Sequence, residues 1–368
     1  MQLSQLSNQG FRNLSSDSVS FGAGVTLITG ENAQGKTNLL EAVALVCGQR
    51  SFRGAASAAM ARDGERFAIS AIVERRGGRE QLSVKWSREQ GREFLRGAKT
   101  ATFREFSALA PAVFLAPEHR ELLTGSPAVR RRFLDRLVLG VKPAAGDDLA
   151  RYAMALRERN VLLSRARRGQ QTGAPGELEA WTEELCVAGS AVRRHRRAAL
   201  PAFEREFEEL ARQAGGDYAE IRVEYAAEGD STEQLRAACE RLLPLERRRG
   251  YSLSGPHRDD LVWRRRGKPL CAQASSGEAT RTVALAKLAE WSAVAKATGE
   301  LPLFAADDFD AGLSEAWAEE FFDALPEQAA VLLTTAAPPA RWARRAAAVL
   351  EVRGGVVSAR ALLRAVSG

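Results

Sequence analysis

The chain is poor in the residues that build metal clusters and disulfide frameworks. It has 4 cysteines and 3 histidines among 368 residues, and no two of them form a CxxC or CxxH pair. The cysteines are far apart and the histidines lack the spacing of metal ligands, so we expect neither a zinc site nor a disulfide scaffold. This cysteine usage fits a reducing compartment, and we expect a cytoplasmic protein.

Long apolar runs are also absent from the sequence. No run approaches the roughly 20 residues of a membrane-spanning helix, and the polar segment 1–10 is unlike a signal peptide. We therefore expect no membrane association. Aromatic residues make up only 7% of the chain and are little interleaved with basic clusters, which argues against a surface that stacks single-stranded bases. Positive charge is in excess, with a net charge of +7, and this favours a polyanionic partner.

Apolar patterning divides the chain into two α/β segments around a helical one. Between about Pro127 and Arg249 the apolar residues step by three and four, as in helices, and Gly169–Gly176 is typical of a turn between two antiparallel helices. We predict an α/β head, a mixed sheet with helices, from residues 1–126 and 250–368, and an inserted α-helical lobe from residues 127–249. The inserted lobe could be an ordinary subdomain or a projecting arm. The candidate strands of the head are 24–29, 67–73, 81–86, 112–116, 301–306, 329–334, 349–352 and 356–358.

Residues 30–37 read GENAQGKT, which is the GxxxxGK[ST] pattern of a phosphate-binding loop. Gly30 and Gly35 allow backbone N–H groups to approach phosphate oxygens, Lys36 supplies positive charge, and Thr37 offers a hydroxyl to Mg²⁺. An apolar strand precedes the loop and a helix-forming run follows it, as this kind of site requires. The loop therefore predicts ATP as the ligand. The other residues of the predicted nucleotide site in this segment are Glu31, Asn32, Ala33, Gln34 and Asn38.

Two further segments can complete a nucleotide site. Asp307 and Asp308 follow a candidate strand, where Asp307 would hold Mg²⁺ together with Thr37 and Asp308 would orient the attacking water. An aspartate pair that caps a turn is the alternative. Ser275 and Gly277 begin a long helical stretch, and they could cap that helix or bind the γ-phosphate of a nucleotide held by another subunit.

The motifs of the chain, taken together, resemble those of the RecF family of bacterial repair proteins, within the ABC-type ATPase heads of the SMC superfamily. The resemblance covers essentially the whole chain, and its motifs occur in the family's order. They are FRN at 11–13, GENAQGKTNLLEA at 30–42, PE at 117–118, GSP at 125–127, RRRFLD at 130–135, GPHRDD at 255–260, SSG at 275–277 and DD at 307–308.

The resemblance implies a homodimer in which two P-loop heads sandwich two ATP molecules. Ser275 and Gly277 of one protomer would contact the γ-phosphate bound by Lys36 of the other, and Arg12 would lie near the phosphates or the adenosine. Lys36 and Asp308 would be the catalytic residues of a weak ATPase that works as a switch. The ATP-bound dimer would clamp duplex DNA, gapped DNA or a junction of single and double strands without sequence preference. It would act with the partner RecR to help load RecA.

Five positions depart from the family pattern. Ala33 replaces a glycine, which phosphate binding should tolerate unless the position needs a positive φ. Glu278 replaces a glutamine, and Thr280 stands where the family has Arg or Lys. The segment 311–314 lacks the aspartate of the usual SELD, and Thr334 and Thr335 stand where many ABC proteins have histidine. These departures favour ATP binding over brisk hydrolysis. Two alternatives are a P-loop DNA-binding module with little or no hydrolysis and an enzyme that transfers phosphate to a small molecule.

Arginine clusters supply the charge that a phosphate backbone would need. We expect some of them to contact duplex DNA, although any one cluster could be a solvated helix face. His257 lies in the GPHRDD motif, and it could form a hydrogen-bonded turn or contact the nucleotide site. The clusters are Arg130–Arg132, Arg193–Arg197, Arg247–Arg249, Arg264–Arg266 and Arg341–Arg345.

Overall fold

The computed structural model describes residues 1–170, 174–311 and 314–360. The chain splits into two compact units, here called unit 1 (Met1–Arg120 with Ser275–Gly368) and unit 2 (Glu121–Ala274). Within the described ranges, no helix combines the length and apolar character needed to cross a membrane.

The helices and strands follow one another in three groups along the chain. The first group, in unit 1, is β1 (Gln2–Gln9), β2 (Val19–Ser20), β3 (Val25–Thr29), α1 (Lys36–Val46), α2 (Ser57–Met60), β4 (Arg66–Arg75), β5 (Gly78–Ser87), β6 (Gly91–Arg96), β7 (Lys99–Thr100), α3 (Phe103–Leu109) and β8 (Ala112–Leu115). The second group, in unit 2, is α4 (Glu121–Thr124), α5 (Pro127–Val141), α6 (Gly146–Arg167), α7 (Glu177–Ala214), β9 (Ile221–Ala226), α8 (Thr232–Arg249), β10 (Asp260–Arg265) and β11 (Lys268–Pro269). The third group, again in unit 1, is α9 (Ser276–Thr298), β12 (Leu303–Ala306), α10 (Glu315–Asp323), β13 (Val331–Thr335), α11 (Ala340–Arg345), β14 (Ala348–Arg353) and β15 (Val356–Ala359).

The central sheet of unit 1 joins strands from both ends of the chain. Its order is β15-β14-β3-β13-β12-β8, and every pair is parallel except β14 with β15. All residues of β3, β12 and β13 are buried, as expected for parallel strands covered on both faces. The prediction that the strand before the phosphate loop and the strand before the aspartates share one sheet is confirmed, and β13 lies between them.

A second sheet of unit 1 is antiparallel, in the order β2-β1-β4-β5-β6-β7. Alternate residues of β4 are buried, namely Phe67, Ile69, Ala71 and Val73. They belong to one apolar core with residues of α1 and of the central sheet. The core thus fixes the helix that follows the phosphate loop against both sheets.

Unit 2 is built on two long antiparallel helices, α6 and α7. Arg151 pairs with Glu184 at 2.9 Å, and Arg159 Nε donates to Thr182 Oγ1 at 2.9 Å. The later residue of α6 thus contacts the earlier residue of α7, as in antiparallel helices. Helix α7 has 38 residues and continues through Pro201. The predicted turn at 169–176 includes residues 171–173, which lie outside the described residues.

The boundaries of the two units differ from the predicted ones. Unit 2 begins at Glu121 rather than 127 and continues to Ala274 rather than ending at 249. The physical reason is that β10 pairs with both β9 and β11 in a small three-stranded sheet. The GPHRDD motif therefore belongs to unit 2 and not to the head.

Candidate functional site

The phosphate loop connects β3 to α1 and depends on two glycines. Gly30 has φ +145° and Gly35 has φ +119°. A Cβ atom on Gly30 would lie 2.4 Å from the carbonyl oxygen of Val352, and one on Gly35 would lie 3.0 Å from Asn13 Oδ1. No side chain caps the start of α1. The first N–H groups of this helix therefore lack side-chain acceptors, which is the arrangement that suits a bound anion.

Ala33 also adopts a positive φ, of +63°. The position therefore needs a positive φ, which is the case in which alanine in place of glycine is unfavourable. The left-handed conformation costs a residue with a side chain about 1–2 kcal/mol. The loop keeps its backbone path here at the expense of some stability.

Lys36 places its ammonium group within the loop. The residue is only 4% exposed, and its Nζ donates to the carbonyl oxygens of Gly30 at 2.7 Å and Glu31 at 3.1 Å. The positive charge thus already lies where phosphate oxygens would bind, held only by neutral acceptors. A phosphate oxygen, being charged, is the stronger acceptor.

Thr37 and Asp307 are brought together by the central sheet. The carboxylate of Asp307 accepts a hydrogen bond from Thr334 Oγ1 at 2.7 Å, and the Thr37 hydroxyl lies close enough to lower its pKa. Burial raises the pKa of Asp307 above its usual value, with a further contribution from the charge of Asp308, while the two hydroxyl groups lower it. A buried carboxylate next to a hydroxyl is a donor set that suits Mg²⁺. In the part of the chain that the structure describes, no group of three His, Cys, Asp or Glu side chains could hold a metal, so an Mg²⁺ here would need phosphate oxygens as further ligands.

The loop after β12 is held by the end of β13. The N–H of Asp308 donates to Thr334 Oγ1 at 2.7 Å, and Thr335 Oγ1 donates to Asp310 Oδ2 at 2.7 Å. Asp308 itself has φ +44°. The two threonines, at the position where many ABC proteins have histidine, thus fix the backbone that carries both predicted aspartates.

Arg12 lies at a cleft beside the phosphate loop. Its guanidinium group makes a bidentate pair with Glu41, at 2.9 and 3.1 Å, and Glu41 is fully buried. The Ser51 hydroxyl donates to the same carboxylate. Neither Glu41 nor Ser51 was predicted, although Glu41 is part of the NLLEA run that follows the loop. The cleft is lined by Arg12, Asn13, Asn38, Ala59, Ala61 and Arg62.

Asparagine and glutamine side chains connect this cleft to the loop. Asn38 Nδ2 donates to Asn13 Oδ1 at 2.7 Å, and Asn13 Nδ2 donates to the carbonyl oxygen of Gln34 at 3.3 Å. The hairpin between β14 and β15 closes the other side. The N–H of Gly354 donates to Gln34 Oε1 at 2.6 Å, and the N–H of Gly355 donates to the Gln34 carbonyl at 2.8 Å. Sequence reasoning missed this contact because it joins segments more than 300 positions apart.

Ser275 caps helix α9 in a capping box. The Glu278 N–H donates to Ser275 Oγ at 3.2 Å, and the Ser275 N–H donates to Glu278 Oε2 at 2.8 Å. The carboxylate of Glu278 is thus turned back onto its own helix. Ser275 and Gly277 are exposed, and a Cβ atom on Gly277 would meet nothing within 4 Å. The described surroundings of residue 277 would therefore also accommodate a larger residue than glycine. The surface formed by Ser275 and Gly277 is accessible to a second molecule.

Neighbouring residues of α9 have partners of their own within unit 1. Arg120 Nη1 donates to Ser276 Oγ at 3.0 Å, and the Thr280 hydroxyl donates to the Ser276 carbonyl. Arg281 lies over the ring of Trp317 at 5.3 Å. Of the segment that replaces SELD, Gly312 and Leu313 lie outside the described residues, and Ser314 caps helix α10.

The two most specific motifs of the sequence meet inside unit 2. Buried Asp259 of GPHRDD accepts from Arg193 at 2.6 and 3.1 Å, from Arg196 at 3.4 Å, and from the hydroxyl of Tyr225. Arg130 of RRRFLD makes a bidentate pair with Asp260 at 2.7 and 2.9 Å. These motifs therefore hold unit 2 together. Because a buried ion pair leaves a costly unpaired charge when one partner is removed, such residues are structurally constrained.

The sequence allowed His257 either a hydrogen-bonded turn or a contact with the nucleotide site, and the structure shows the hydrogen-bonded turn. Its Nδ1 lies 2.6 Å from Tyr152 Oη and its Nε2 lies 3.1 Å from the carbonyl oxygen of Ser252. Burial lowers the pKa of His257 from 6.5 to about 4. The ring is therefore neutral in the folded protein at pH 7.

We expect His257 to make the protein sensitive to mild acid. Between pH 6.5 and about 4, the unfolded chain binds a proton that the folded chain does not, so stability falls as the pH falls through this window, by up to about 3 kcal/mol. Above pH 6.5 the group contributes no pH dependence. The measurement is the thermal unfolding midpoint at pH 7 and pH 5, for which His257→Gln should reduce the difference and His195→Gln should retain it. An equal acid-induced drop in all three proteins would contradict this assignment.

Comparisons with known proteins identify relatives in both sequence and fold. A family model described as an AAA domain matches residues 5–114. The DNA replication and repair protein RecF of Thermosynechococcus vestitus is 32% identical over an alignment of 370 positions, which covers 97% of this chain and 97% of that protein. RecF of Clavibacter michiganensis subsp. michiganensis is 31% identical and covers 97% of this chain and 96% of its own length.

Solved structures match the fold over nearly the whole chain. The structure of the recombination mediator protein RecF with ATP, in the RecFOR pathway, has a TM-score of 0.89 at 23% identity and covers 98% of both chains. An Smc head domain from Pyrococcus furiosus has a TM-score of 0.54 at 16% identity, covering 98% of this chain and 96% of that one. The predicted ABC-type head with an inserted helical part is thereby confirmed. From the sequence relatives and the fold together, the chain belongs to the RecF family of DNA replication and repair proteins.

Proposed function

We propose that the protein is an ATP-controlled, DNA-binding dimer of recombinational repair. The observation that carries the proposal is the placement of the Thr37 hydroxyl beside the buried carboxylate of Asp307, where it lowers the pKa of that carboxyl, next to the loop that holds Lys36. It joins the two halves of a nucleotide site from sequence segments 270 positions apart. Membership of the RecF family and the fold shared with the ATP-bound RecF structure support ATP as the ligand.

Each residue of the site has a specific task in this proposal. The backbone of residues 30–35 and the ammonium of Lys36 bind the phosphates, while Arg12, Asn13 and Asn38 line the cleft for the rest of the nucleotide. Thr37 and Asp307 would hold Mg²⁺, which neutralises phosphate charge when it is bound. Asp308 orients the attacking water. Hydrolysis is slow, and it resets the switch.

A second copy of the chain completes the site. Ser275 and Gly277 are exposed, the carboxylate of Glu278 is engaged with its own helix, and Gly277 has no internal reason to be glycine. These features suit contact with the γ-phosphate of a nucleotide on the partner subunit. The net charge of +7 suits binding to DNA without sequence preference. Action on duplex or gapped DNA with RecR, and help in loading RecA, are inferred from the family resemblance.

We expect Asp308→Asn to trap the ATP-bound dimer. The amide cannot accept the proton of the attacking water, so hydrolysis should fall about 100-fold or more, while Lys36, Thr37 and Asp307 still bind the nucleotide. Light scattering with ATP and Mg²⁺ should give about twice the monomer mass for this variant, with a longer lifetime than for the wild type. Asp63→Asn, at an exposed turn, is the matched control. Monomer alone for both wild type and Asp308→Asn at saturating ATP would refute the dimer.

Turnover measurements separate the alternatives. A slow ATPase that DNA stimulates supports the switch, and ATP-dependent DNA binding without any turnover supports a binding module. Turnover stimulated by a small metabolite instead of DNA would support a phosphotransferase.

A further inference from the structure

Most of the arginine clusters are neutralised by neighbouring carboxylates. In unit 2, Arg264 pairs with Glu224 and Arg266 with Glu220. In unit 1, Arg341 of the last cluster pairs with Glu319. Since an arginine that already pairs with a carboxylate has less capacity to bind another anion, clusters of arginine in the sequence are a poor guide to a DNA-binding surface.

One group of arginines in unit 2 differs from these clusters. They occupy the last turns of α6 and α8, all are exposed, and none forms an ion pair with a carboxylate in the described ranges. The two helix ends are adjacent, because Arg167 Nη1 lies 3.4 Å from the carbonyl oxygen of Arg249 and a Cβ atom on Gly250 would lie 3.0 Å from Arg167 Cδ. We call this group the arm-end arginine surface, and its members are Arg165, Arg167, Arg168, Arg247, Arg248 and Arg249.

The nearby negative charge does not balance this surface. Leu178 of α7 packs in the same small core as Leu162 and Leu163 of α6, which brings Glu177 and Glu179 to this end of the helices. The Glu177 carboxylate already accepts the N–H of Ala174 at 3.0 Å. Six arginines thus stand against two glutamates.

Helix stability alone does not account for so much charge. A cation in the last turn of a helix stabilises it by about 0.3–1 kcal/mol through the helix dipole, and one or two arginines would achieve this. Further arginines on the same small area repel one another in the absence of an anion. A bound polyanion removes that repulsion, and guanidinium groups bind phosphate in a bidentate manner.

We propose that the arm-end arginine surface binds the phosphate backbone of duplex DNA, independently of ATP. This inference rests on the proposed DNA-binding function and assigns part of it to unit 2. It gives the protein a second DNA contact besides any that the nucleotide-controlled dimer creates.

The test compares two triple variants of the full chain that lose the same charge. In the first, Arg247, Arg248 and Arg249 are replaced by Gln. In the second, Arg236, Arg264 and Arg266 are replaced by Gln. The second set also lies in unit 2, with Arg266 exposed and Arg236 and Arg264 half-buried, and each member pairs with a glutamate. Fluorescence anisotropy of a labelled duplex gives the affinity over a range of salt concentrations, with and without ATP, and thermal unfolding checks that each variant is folded.

We expect the affinity of the first variant for DNA to fall at least about 10-fold at low salt. Its slope of log affinity against log salt should be shallower by about 2–3, because each lost phosphate contact reduces the slope by about 0.9. The paired-arginine variant should keep the wild-type slope, and Arg→Lys at 247–249 should restore most of the affinity. Equal losses in both triple variants, or a wild-type slope in the first, would overturn the inference. If ATP-dependent DNA binding persists in that case, the proposed function stands. If the wild type binds no DNA under any condition, both fail.

Discussion

Lys36→Ala is expected to lower the affinity for ATP by about 100-fold or more, which corresponds to about 2.7 kcal/mol. Its ammonium lies inside the loop, 96% of its surface is removed from solvent, and only the carbonyl oxygens of Gly30 and Glu31 hold it. In the proposed site, removing it takes away the positive side-chain charge of the loop. Titration with a fluorescent ATP analogue measures the loss of affinity. The ATP-dependent dimerisation and the ATP-dependent part of DNA binding should disappear with it.

The same variant should remain folded, because among the described residues Lys36 makes no ion pair whose carboxylate partner would be left unpaired. Thermal unfolding without nucleotide checks this point. Lys99→Ala, on an exposed strand, is the control for loss of one lysine and should bind ATP as the wild type does. Equal ATP affinity in Lys36→Ala and Lys99→Ala, or DNA binding of Lys36→Ala that ATP still controls, would contradict the assignment of the site.

Gly355→Ala is expected to be the most damaging small substitution near the site. A Cβ atom on Gly355 would lie 1.8 Å from the carbonyl oxygen of Asn13, and its φ of +85° is unfavourable for alanine. The hairpin would have to move, and the bonds of Gly355 to Gln34 and Ser15 would be lost with it. We expect a loss of about 3 kcal/mol or more, since backbone strain and overpacking each cost about 1–3 kcal/mol.

The neighbouring glycine provides a matched control. Gly354 has φ +54°, and a Cβ atom there would meet nothing within 4 Å. Gly354→Ala should therefore cost only about 1 kcal/mol, the price of the left-handed conformation. Unfolding midpoints and ATP titrations distinguish the two variants. If both behave alike, then the contact between the hairpin and Asn13 does not constrain the phosphate loop.

The sequence predicts those parts of the molecule that depend on local pattern. The strands of the central sheet are short apolar runs, and all eight candidate strands are present. The phosphate loop is predictable residue by residue because its chemistry lies within eight consecutive positions. The sheet that joins Thr37 to Asp307 follows from strand order, since the carboxyl ends of parallel strands meet at one edge.

The parts that sequence reasoning missed depend on contacts between distant segments. Nothing local to Gly355 indicates that its neighbour is Asn13, and nothing local to Arg12 indicates Glu41 as its partner. The boundary predicted at residue 249 differs from the structure because β10 pairs with β9, and no local pattern indicates that pairing. The arginine clusters looked alike as sequence, and only their carboxylate partners distinguish a paired cluster from an open one.

The position of β3 in the central sheet has a consequence for how the protein is made. Both neighbours of β3, the strands β13 and β14, come from the third group of elements, and Thr29 Oγ1 donates to the carbonyl oxygen of Leu350, 321 positions later. At a translation rate of about 5–20 residues per second, roughly 15–60 s separate the synthesis of these partners. Unit 2 is continuous in sequence, so it emerges whole from the ribosome while β3 still has two open, apolar edges. The nucleotide site proposed above is therefore completed only after β13 and β14 have been translated, so we expect ATP to stabilise the full chain and not its N-terminal segment. Until then the open edges of β3 are exposed to pairing with other chains.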